Sequence, residues 1–304
     1  MDMQVSFAGL ELHNPIMTAS GTFGYGTEFA PYGALENLGA IVVKGISLAP
    51  RQGNPQPRIS ETSCGMLNAI GLQNIGVEAF LRDKLPQLPW RTTPVLVNLY
   101  GQSVEEFAEL TDRLATAQGI GGLELNISCP NVREGGVQFG QDPVQAALVT
   151  AAVKKRAGNV PVLVKLSPNV TDITVMARAV ADAGADCISL INTLTGMAVD
   201  IHSRRPKLAN VYGGLSGPAI KPVALRMVHQ VTRSVDIPVV GLGGITSAQD
   251  VLEFLLVGAH AVQVGTANFM RPDTAFTLVD DVRDLAEQLG LSNWDEYRGS
   301  LKTP

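Results

Sequence analysis

Short apolar runs alternate along the chain with longer segments in which apolar residues recur at helical spacing. Eight of these runs have the length and continuity of strands that are buried on both faces, as in a parallel sheet. The predicted strands are Ile16-Met17, residues 40–43, 95–97, 123–127, 162–164 and 187–191, Val239-Val240, and residues 261–264. Eight strands that alternate with helices predict a closed (β/α)₈ TIM barrel rather than a doubly wound sheet.

The segments between the strands carry helix signals at their ends. Ser103 precedes one periodic segment and has Glu106 three residues after it, as in a capping box. Gly158 and Gly184 follow two other segments, where glycine commonly ends a helix. The predicted helices cover residues 104–117, 143–157, 173–183, 218–231, 247–257 and 274–289.

Two segments lie outside this repeating pattern. Residues 5–7 and 10–12 alternate apolar and polar positions around Ala8-Gly9, which predicts an N-terminal β-hairpin. Residues 49–73 form the longest insertion and are rich in Pro, Asn and Gly, so we interpret them as a structured rim loop and a candidate lid. Because barrels of this length fold as one unit, we expect a single domain over residues 1–304.

Composition and charge exclude several classes of function. The chain is 45% hydrophobic and 17% charged, which is typical of a globular protein with a large core. A net charge of −5 disfavours nucleic acid as a partner, and no apolar run approaches the roughly 20 residues that span a bilayer. Three cysteines without metal-type spacing, and an N-terminus without a secretion signal, predict a cytoplasmic protein without a metal site.

Candidate chemistry appears where the predicted strands end, the usual place of active sites in such barrels. The strand ends carry Ser20-Gly21, Lys44-Gly45, Asn98, Asn126 with Cys129, Lys165, Asn192-Thr193, Gly243-Gly244 and Gly265-Thr266. Unpaired buried polar groups are costly, so this collection predicts a polar ligand. Glycines after the last two strands indicate a phosphate site built from backbone N–H groups, and residues 213–218 are predicted as a glycine-rich loop beside it.

The fourth strand is followed by Ser128-Cys129-Pro130-Asn131, which places a thiol at the start of a loop. Pro130 cannot continue a strand ladder, and residues 131–138 are polar and glycine-containing, as in a segment that covers a site. Free cysteines are most often small core residues. A thiol with an ordinary pKa of about 8.5 can instead act as a base when nearby cations favour the thiolate. The residues alone leave both interpretations open.

Several motifs taken together resemble those of dihydroorotate dehydrogenase. They are residues 19–26 (Ala-Ser-Gly-Thr-Phe-Gly-Tyr-Gly), 43–47 (Val-Lys-Gly-Ile-Ser), 68–73, 126–131 (Asn-Ile-Ser-Cys-Pro-Asn), 165–168 (Lys-Leu-Ser-Pro) and 241–244. The resemblance covers essentially the whole chain. The first motif is most similar to the NAD-linked class, 1B, in which a catalytic subunit pairs with a separate electron-transfer subunit.

The resemblance implies oxidation of (S)-dihydroorotate to orotate in de novo pyrimidine biosynthesis, with one FMN per chain as hydride acceptor. Cys129 would be the catalytic base, and Lys44 a second catalytic residue. The implied FMN contacts are Ser20, Lys44, Gly45, Asn98, Asn126, Lys165, Ile191, Gly217, Gly243, Gly244, Gly265 and Thr266. The implied substrate contacts are Lys44, Asn68, Ala69, Ile70, Gly71, Leu72, Asn126, Asn192 and Thr193. Lys165 would place a fixed positive charge beside the reduced flavin.

The electron acceptor cannot be read from a motif in this chain. The sequence has neither the cysteine spacing of an iron–sulfur cluster nor the Gly-x-Gly-x-x-Gly fingerprint of a nicotinamide site. The resemblance therefore implies a partner subunit with FAD and a 2Fe–2S cluster, in a heterotetramer of two catalytic and two electron-transfer subunits. The nearest alternatives are a fumarate-linked dihydroorotate dehydrogenase and a dihydropyrimidine dehydrogenase. More distant ones are a Schiff-base aldolase using Lys165 and a non-catalytic phosphate-binding barrel.

Overall fold

The computed structural model describes residues 1–127 and 139–303 of the 304-residue chain. In chain order its strands are β1 (Val5–Phe7), β2 (Leu10–Leu12), β3 (Ile16–Thr18), β4 (Ile41–Ile46), β5 (Ile59–Thr62), β6 (Gly65–Asn68), β7 (Val95–Leu99), β8 (Gly122–Asn126), β9 (Val162–Leu166), β10 (Cys187–Leu190), β11 (Leu194–Met197), β12 (Val199–Asp200), β13 (Arg205–Pro206), β14 (Tyr212–Ser216), β15 (Val239–Leu242) and β16 (Ala261–Val264). Its α-helices are α1 (Val77–Ala79), α2 (Val104–Ala115), α3 (Pro143–Arg156), α4 (Ile173–Asp182), α5 (Lys221–Thr232), α6 (Ala248–Leu256), α7 (Ala267–Met270), α8 (Thr274–Gln288) and α9 (Trp294–Tyr297).

The barrel contains all eight predicted strands, hydrogen-bonded in parallel in the order β3-β16-β15-β10-β9-β8-β7-β4. It closes between β3 and β4 through a bridge from Met17 to Ala40. The Thr18 hydroxyl completes this seam, because it accepts from the Val42 N–H at 2.9 Å and donates to the Val42 carbonyl at 3.3 Å. The prediction of a (β/α)₈ barrel is confirmed.

The six predicted helices are also present, with ends that differ from the prediction by a few residues. The Ser103 side chain accepts from the Glu106 N–H, and Ser247 and Asp250 form a capping box at the start of α6. The predicted helix from residue 218 begins with a 3₁₀ turn, Pro218–Ile220, before α5 starts at Lys221. Within residues 1–127 and 139–303, no helix combines the length and apolar character needed to cross a membrane.

Outside the barrel, β1 and β2 form the predicted N-terminal hairpin. A four-stranded antiparallel sheet, here called the rim sheet, joins β5 and β6 of the long insertion to β11 and β14. The prediction of a glycine-rich loop over residues 213–218 is wrong for its first part, because Tyr212–Ser216 is strand β14. Glycine is needed there for close packing, since a Cβ on Gly214 would overlap the Thr193 hydroxyl oxygen.

Candidate active site

A cavity of about 480 Å³ lies at the carboxyl ends of the barrel strands. Residues at or just after the ends of all eight barrel strands line it, and residues of the rim sheet complete its wall. Its size falls within the range of small-molecule and cofactor sites. This is the rim at which (β/α)₈ enzymes carry their active sites.

The structure brings the sequence-predicted contact residues together. Those that line the cavity are Ser20, Lys44, Gly45, Asn68, Ile70, Gly71, Leu72, Asn98, Asn126, Lys165, Ile191, Asn192, Thr193, Gly217, Gly243, Gly244, Gly265 and Thr266. Ala69 is not among them, because its side chain packs in a small apolar cluster with Leu67 and Leu208. Cys129 and the predicted cover over residues 131–138 lie outside the described residues.

One end of the cavity is formed by the loops that follow β15 and β16. Gly243 and Gly244 both have positive φ, at 125° and 78°. A Cβ on Gly244 would lie 2.9 Å from the Gly217 carbonyl oxygen and 2.9 Å from the Lys221 backbone nitrogen, so only glycine fits. Thr266, at the start of α7, donates its hydroxyl to Ser216 at 2.8 Å. These two loops and a helix start match the way barrels of this type bind phosphate.

The loop after Gly244 is held by Asp250, which is 6% exposed. Its carboxylate accepts from the Thr246 N–H at 2.8 Å, the Thr246 hydroxyl at 2.9 Å and the Ser247 N–H at 2.9 Å. Lys221 donates to it at 2.5 Å. Burial by itself would raise the pKa of Asp250, but the hydrogen bonds from Lys221 and Thr246 outweigh burial and lower it. The carboxylate therefore fixes the backbone next to the glycine pair.

Lys44 enters the cavity from an irregularity in β4. The register between β4 and β7 shifts between Val43 and Ile46, and the Lys44 N–H bonds to the Gly24 carbonyl at 2.8 Å instead of continuing the ladder. Such bulges re-aim side chains near active sites. Burial, and secondly the charge of Arg58, lower the pKa of Lys44. Within the described parts of the chain no acidic group pairs with Lys44, so an anionic ligand would stabilise its ammonium form.

Next to the cavity lies a buried carboxylate to which the sequence reasoning assigned no role. Glu124 on β8 is fully buried, and its oxygens accept from Asn98 Nδ2 at 2.7 Å, Ser189 Oγ at 2.8 Å and Gln263 Nε2 at 2.6 Å. Lys165 Nζ forms an ion pair with it at 3.6 Å. In the sequence, a glutamate between Leu123 and Leu125 interrupts a run that is otherwise typical of a buried strand. Because a buried charge requires partners, this position could have indicated a group of polar side chains around it.

Other lining residues carried no sequence signal. Arg58 and Met66 reach the cavity from the inserted segment, and Phe29 and Phe269 reach it from segments that follow β3 and β16. Their positions depend on how the rim sheet and the loops pack, which no local pattern specifies. No group of three or more His, Cys, Asp or Glu side chains within residues 1–127 and 139–303 is arranged to hold a metal ion.

Comparison with known proteins gives one consistent family. A family model described as dihydroorotate dehydrogenase matches residues 2–286. The chain is 65% identical over 302 residues to a protein of Solidesulfovibrio magneticus named "Dihydroorotate dehydrogenase B (NAD(+)), catalytic subunit", with 99% of each chain covered. Proteins with the same name from Maridesulfovibrio salexigens and Pelobacter propionicus are 64% identical over 304 residues and 60% identical over 301 residues, covering 100% and 99% of each chain.

Proposed function

Because the chain belongs to the dihydroorotate dehydrogenase family, we propose that it is the FMN-binding catalytic subunit of an NAD⁺-linked enzyme of class 1B. It oxidises (S)-dihydroorotate to orotate in de novo pyrimidine biosynthesis, as a single barrel domain over residues 1–304. One observation carries this proposal: the described contact residues, apart from Ala69, line one cavity at the catalytic rim of the barrel.

The residues present fit FMN. Gly243, Gly244, Gly265 and Thr266 would hold the phosphate, in a glycine cradle too tight for a Cβ at Gly244. Asn98 Oδ1 is buried without a donor from the described parts of the chain, which a polar ligand would supply. Bound FMN would supply the hydride acceptor for C6 of dihydroorotate. Lys165 at the cavity wall would place a positive charge beside a bound flavin, which would favour the electron-rich state of the ring.

The substrate would be held by a second group of side chains in the same cavity. The Lys44 ammonium would pair with the carboxylate of dihydroorotate, since the lysine is partly buried and lacks an anionic partner in the described parts of the chain. Asn192 would offer its amide beside Asn126, to which its Nδ2 donates at 3.4 Å, while its Oδ1 accepts from the Thr193 N–H at 2.8 Å. Asn68 from the rim sheet would complete the ring contacts. Such contacts fix C6 and C5 relative to hydride acceptor and base.

Cys129 is proposed as the base that removes the C5 proton, on the strength of the sequence motif in which it lies. We expect Cys129→Ala to abolish steady-state oxidation of dihydroorotate while FMN stays bound, because the proton then has no acceptor. Cys64→Ala is the matched control, since Cys64 is exposed and does not line the cavity. Near-normal turnover by the Cys129 variant would refute the assignment.

Electrons are proposed to leave through a partner subunit that carries FAD and a 2Fe–2S cluster, in a cytoplasmic heterotetramer of two catalytic and two electron-transfer subunits. The support is that the relatives are named catalytic subunits of an NAD(+) enzyme. Co-purification from the native source, followed by mass determination and assays with NAD⁺ and fumarate, tests this. A lone chain that reduces NAD⁺ efficiently would contradict the partner, and a preference for fumarate would contradict the class.

The more distant alternatives gain no support. An aldolase would need the Lys165 amine to attack a carbonyl, whereas this amine forms an ion pair with the buried Glu124 carboxylate. Failure of borohydride to trap a ligand on Lys165, in a protein that purifies with flavin absorbance, would exclude that chemistry. A non-catalytic barrel leaves the shared cavity position of Lys44, Asn126 and Lys165 without a purpose.

A further inference from the structure

Glu124 does not itself line the cavity, but three of the side chains that it contacts do. Asn98, Lys165 and Gln263 belong both to the cavity wall and to the shell around the Glu124 carboxylate. The fourth neighbour, Ser189, contacts the carboxylate at 2.8 Å and is not a lining residue. Any hydrogen-bonding influence of Glu124 on a ligand therefore passes through the residues of the wall.

The orientation of the Asn98 amide follows from this contact. A carboxylate only accepts hydrogen bonds, so the amide nitrogen of Asn98 must face it, and Nδ2 donates to Glu124 Oε2 at 2.7 Å. The amide oxygen is thereby turned the other way, next to Gly45, where a Cβ would lie 2.9 Å from it. No donor from residues 1–127 or 139–303 reaches this oxygen. Because Asn98 lines the cavity, a ligand with an N–H or O–H group that reaches this buried oxygen would supply its missing donor.

The same rule fixes Gln263. Its Nε2 donates to Glu124 Oε1 at 2.6 Å, which leaves its Oε1 at 3.4 Å from Lys165 Nζ. Lys165 Nζ also lies 3.4 Å from Ser20 Oγ and 3.6 Å from Glu124 Oε2. The single carboxylate therefore holds Lys165 both directly and through Gln263, and it determines which end of each of the two amides points away from it.

We propose that Glu124 is a positioning residue of the flavin site, which turns the Asn98 amide so that its oxygen accepts a hydrogen bond from FMN. This inference rests on the proposed function, because FMN is taken as the ligand of the cavity. Glu124 has no contact with the ligand, and its effect on binding is transmitted by the direction of the Asn98 hydrogen bond.

Exchange of the donor and the acceptor tests the proposal. In Glu124→Gln the new amide nitrogen must face either Asn98 Nδ2 or Gln263 Nε2, both of which are donors, and in Asn98→Asp two carboxylates face each other. Each single change therefore opposes the present arrangement. In the double variant, the new glutamine amide can donate to the new aspartate, whose second carboxylate oxygen still faces the ligand as an acceptor. We expect each single change to weaken FMN binding by the apoprotein about 10-fold or more, and the double variant to return to within about 3-fold of wild type.

FMN titrations of the apoproteins, followed by flavin fluorescence, and thermal unfolding of the same samples measure these effects. Ser189→Ala is the control, because it removes a hydrogen bond from the same carboxylate without changing a lining residue. It should alter FMN affinity by less than about 2-fold. If Ser189→Ala weakened FMN binding as much as Glu124→Gln, general damage to the buried network would explain the data and the proposal would fail.

Recovery of FMN affinity in the double variant supports the proposal. If the loss of FMN affinity in the double variant equals the product of the losses in the two single variants, the proposal is overturned. Recovery of the unfolding temperature without recovery of affinity also overturns it, since Glu124 would then be structural only. Should Glu124→Gln not fold, the comparison of Asn98→Asp with the double variant decides, and a double variant that binds FMN no more tightly than Asn98→Asp refutes the inference. A wild-type chain that bound no FMN would instead refute the proposed function.

Discussion

Replacement of Gly244 by alanine probes the glycine cradle at the end of the cavity most sharply. The new Cβ would lie 2.8 Å from Lys221 Cβ, 2.9 Å from the Gly217 carbonyl oxygen and 2.9 Å from the Lys221 nitrogen. Two of these atoms belong to the backbone and cannot rotate away. The loop after β15 must therefore move if the alanine is to be accommodated.

The size of the effect has two parts. A φ of 78° disfavours alanine by about 1–2 kcal/mol, and the forced shift of a packed backbone adds about 1–3 kcal/mol. Gly290→Ala separates these parts, because Gly290 has a similar φ of 70° but no atom within 4 Å of the position that its new Cβ would take. We expect Gly290→Ala to reduce the free energy of unfolding by only the first amount, without an effect on FMN.

Urea unfolding of the apoproteins and FMN titration together test this reasoning. Loss of one charge-assisted hydrogen bond to the phosphate costs about 1.5–3 kcal/mol, so the FMN dissociation constant of Gly244→Ala should rise about 10- to 100-fold. If Gly244→Ala bound FMN as tightly as wild type and was destabilised no more than Gly290→Ala, the assignment of this loop to the phosphate would be wrong.

Three other side chains, Lys44, Thr18 and His260, allow further tests. Lys44→Met should weaken orotate binding about 10- to 100-fold in titrations of the flavin spectrum. Burial lowers the pKa of Lys44, so the affinity of the wild-type protein for orotate should begin to fall at a pH below the ordinary pKa of a lysine side chain. Thr18→Val leaves the Val42 N–H and carbonyl without their partner at the barrel seam, so it should lower the free energy of unfolding in urea by about 2–4 kcal/mol. Thr111→Val is the control, because Thr111 is equally buried but its hydroxyl only donates to a helical carbonyl. This change should lower the free energy of unfolding by less than about 1 kcal/mol. Burial lowers the pKa of His260 to about 4, so as the pH falls this histidine is protonated in the unfolded chain before it is protonated in the folded one. The free energy of unfolding should therefore fall by about 2–3 kcal/mol between pH 6.5 and pH 4, and His260→Gln should reduce this loss.

The barrel could be predicted because its signals are local. Each barrel strand is a short apolar run, and helix starts such as Ser103 and Ser247 are marked by side chains that satisfy the first backbone N–H groups. The strand ends then converge by the geometry of the fold, which places Lys44, Asn126 and Lys165 in one cavity. Hydrophobic periodicity and topology were sufficient for this much.

The rim sheet could not be predicted, because its pairings join segments far apart in the chain. Gly214 of β14 pairs with Asn68 of β6 and with Thr195 of β11. Glycine also lowers the strand propensity of this segment. The placement of Ala69 follows from the same pairing, since alternate residues of an extended chain face opposite sides and Ala69 shares the side of Leu67. The partners of Glu124 come from four different strands, so only the three-dimensional structure reveals them.

Anaerobic mixing of the FMN-loaded chain with (S)-dihydroorotate, in the absence of any partner, tests the central claim most directly. We expect wild-type protein to lose its oxidised flavin absorbance in a single turnover and to form one orotate per flavin, because the proposed base, substrate contacts and hydride acceptor all lie in this chain. The Cys129→Ala variant should keep its oxidised spectrum on the same timescale. A wild-type flavin that stays oxidised in saturating dihydroorotate would contradict the claim that this chain carries the dehydrogenase chemistry.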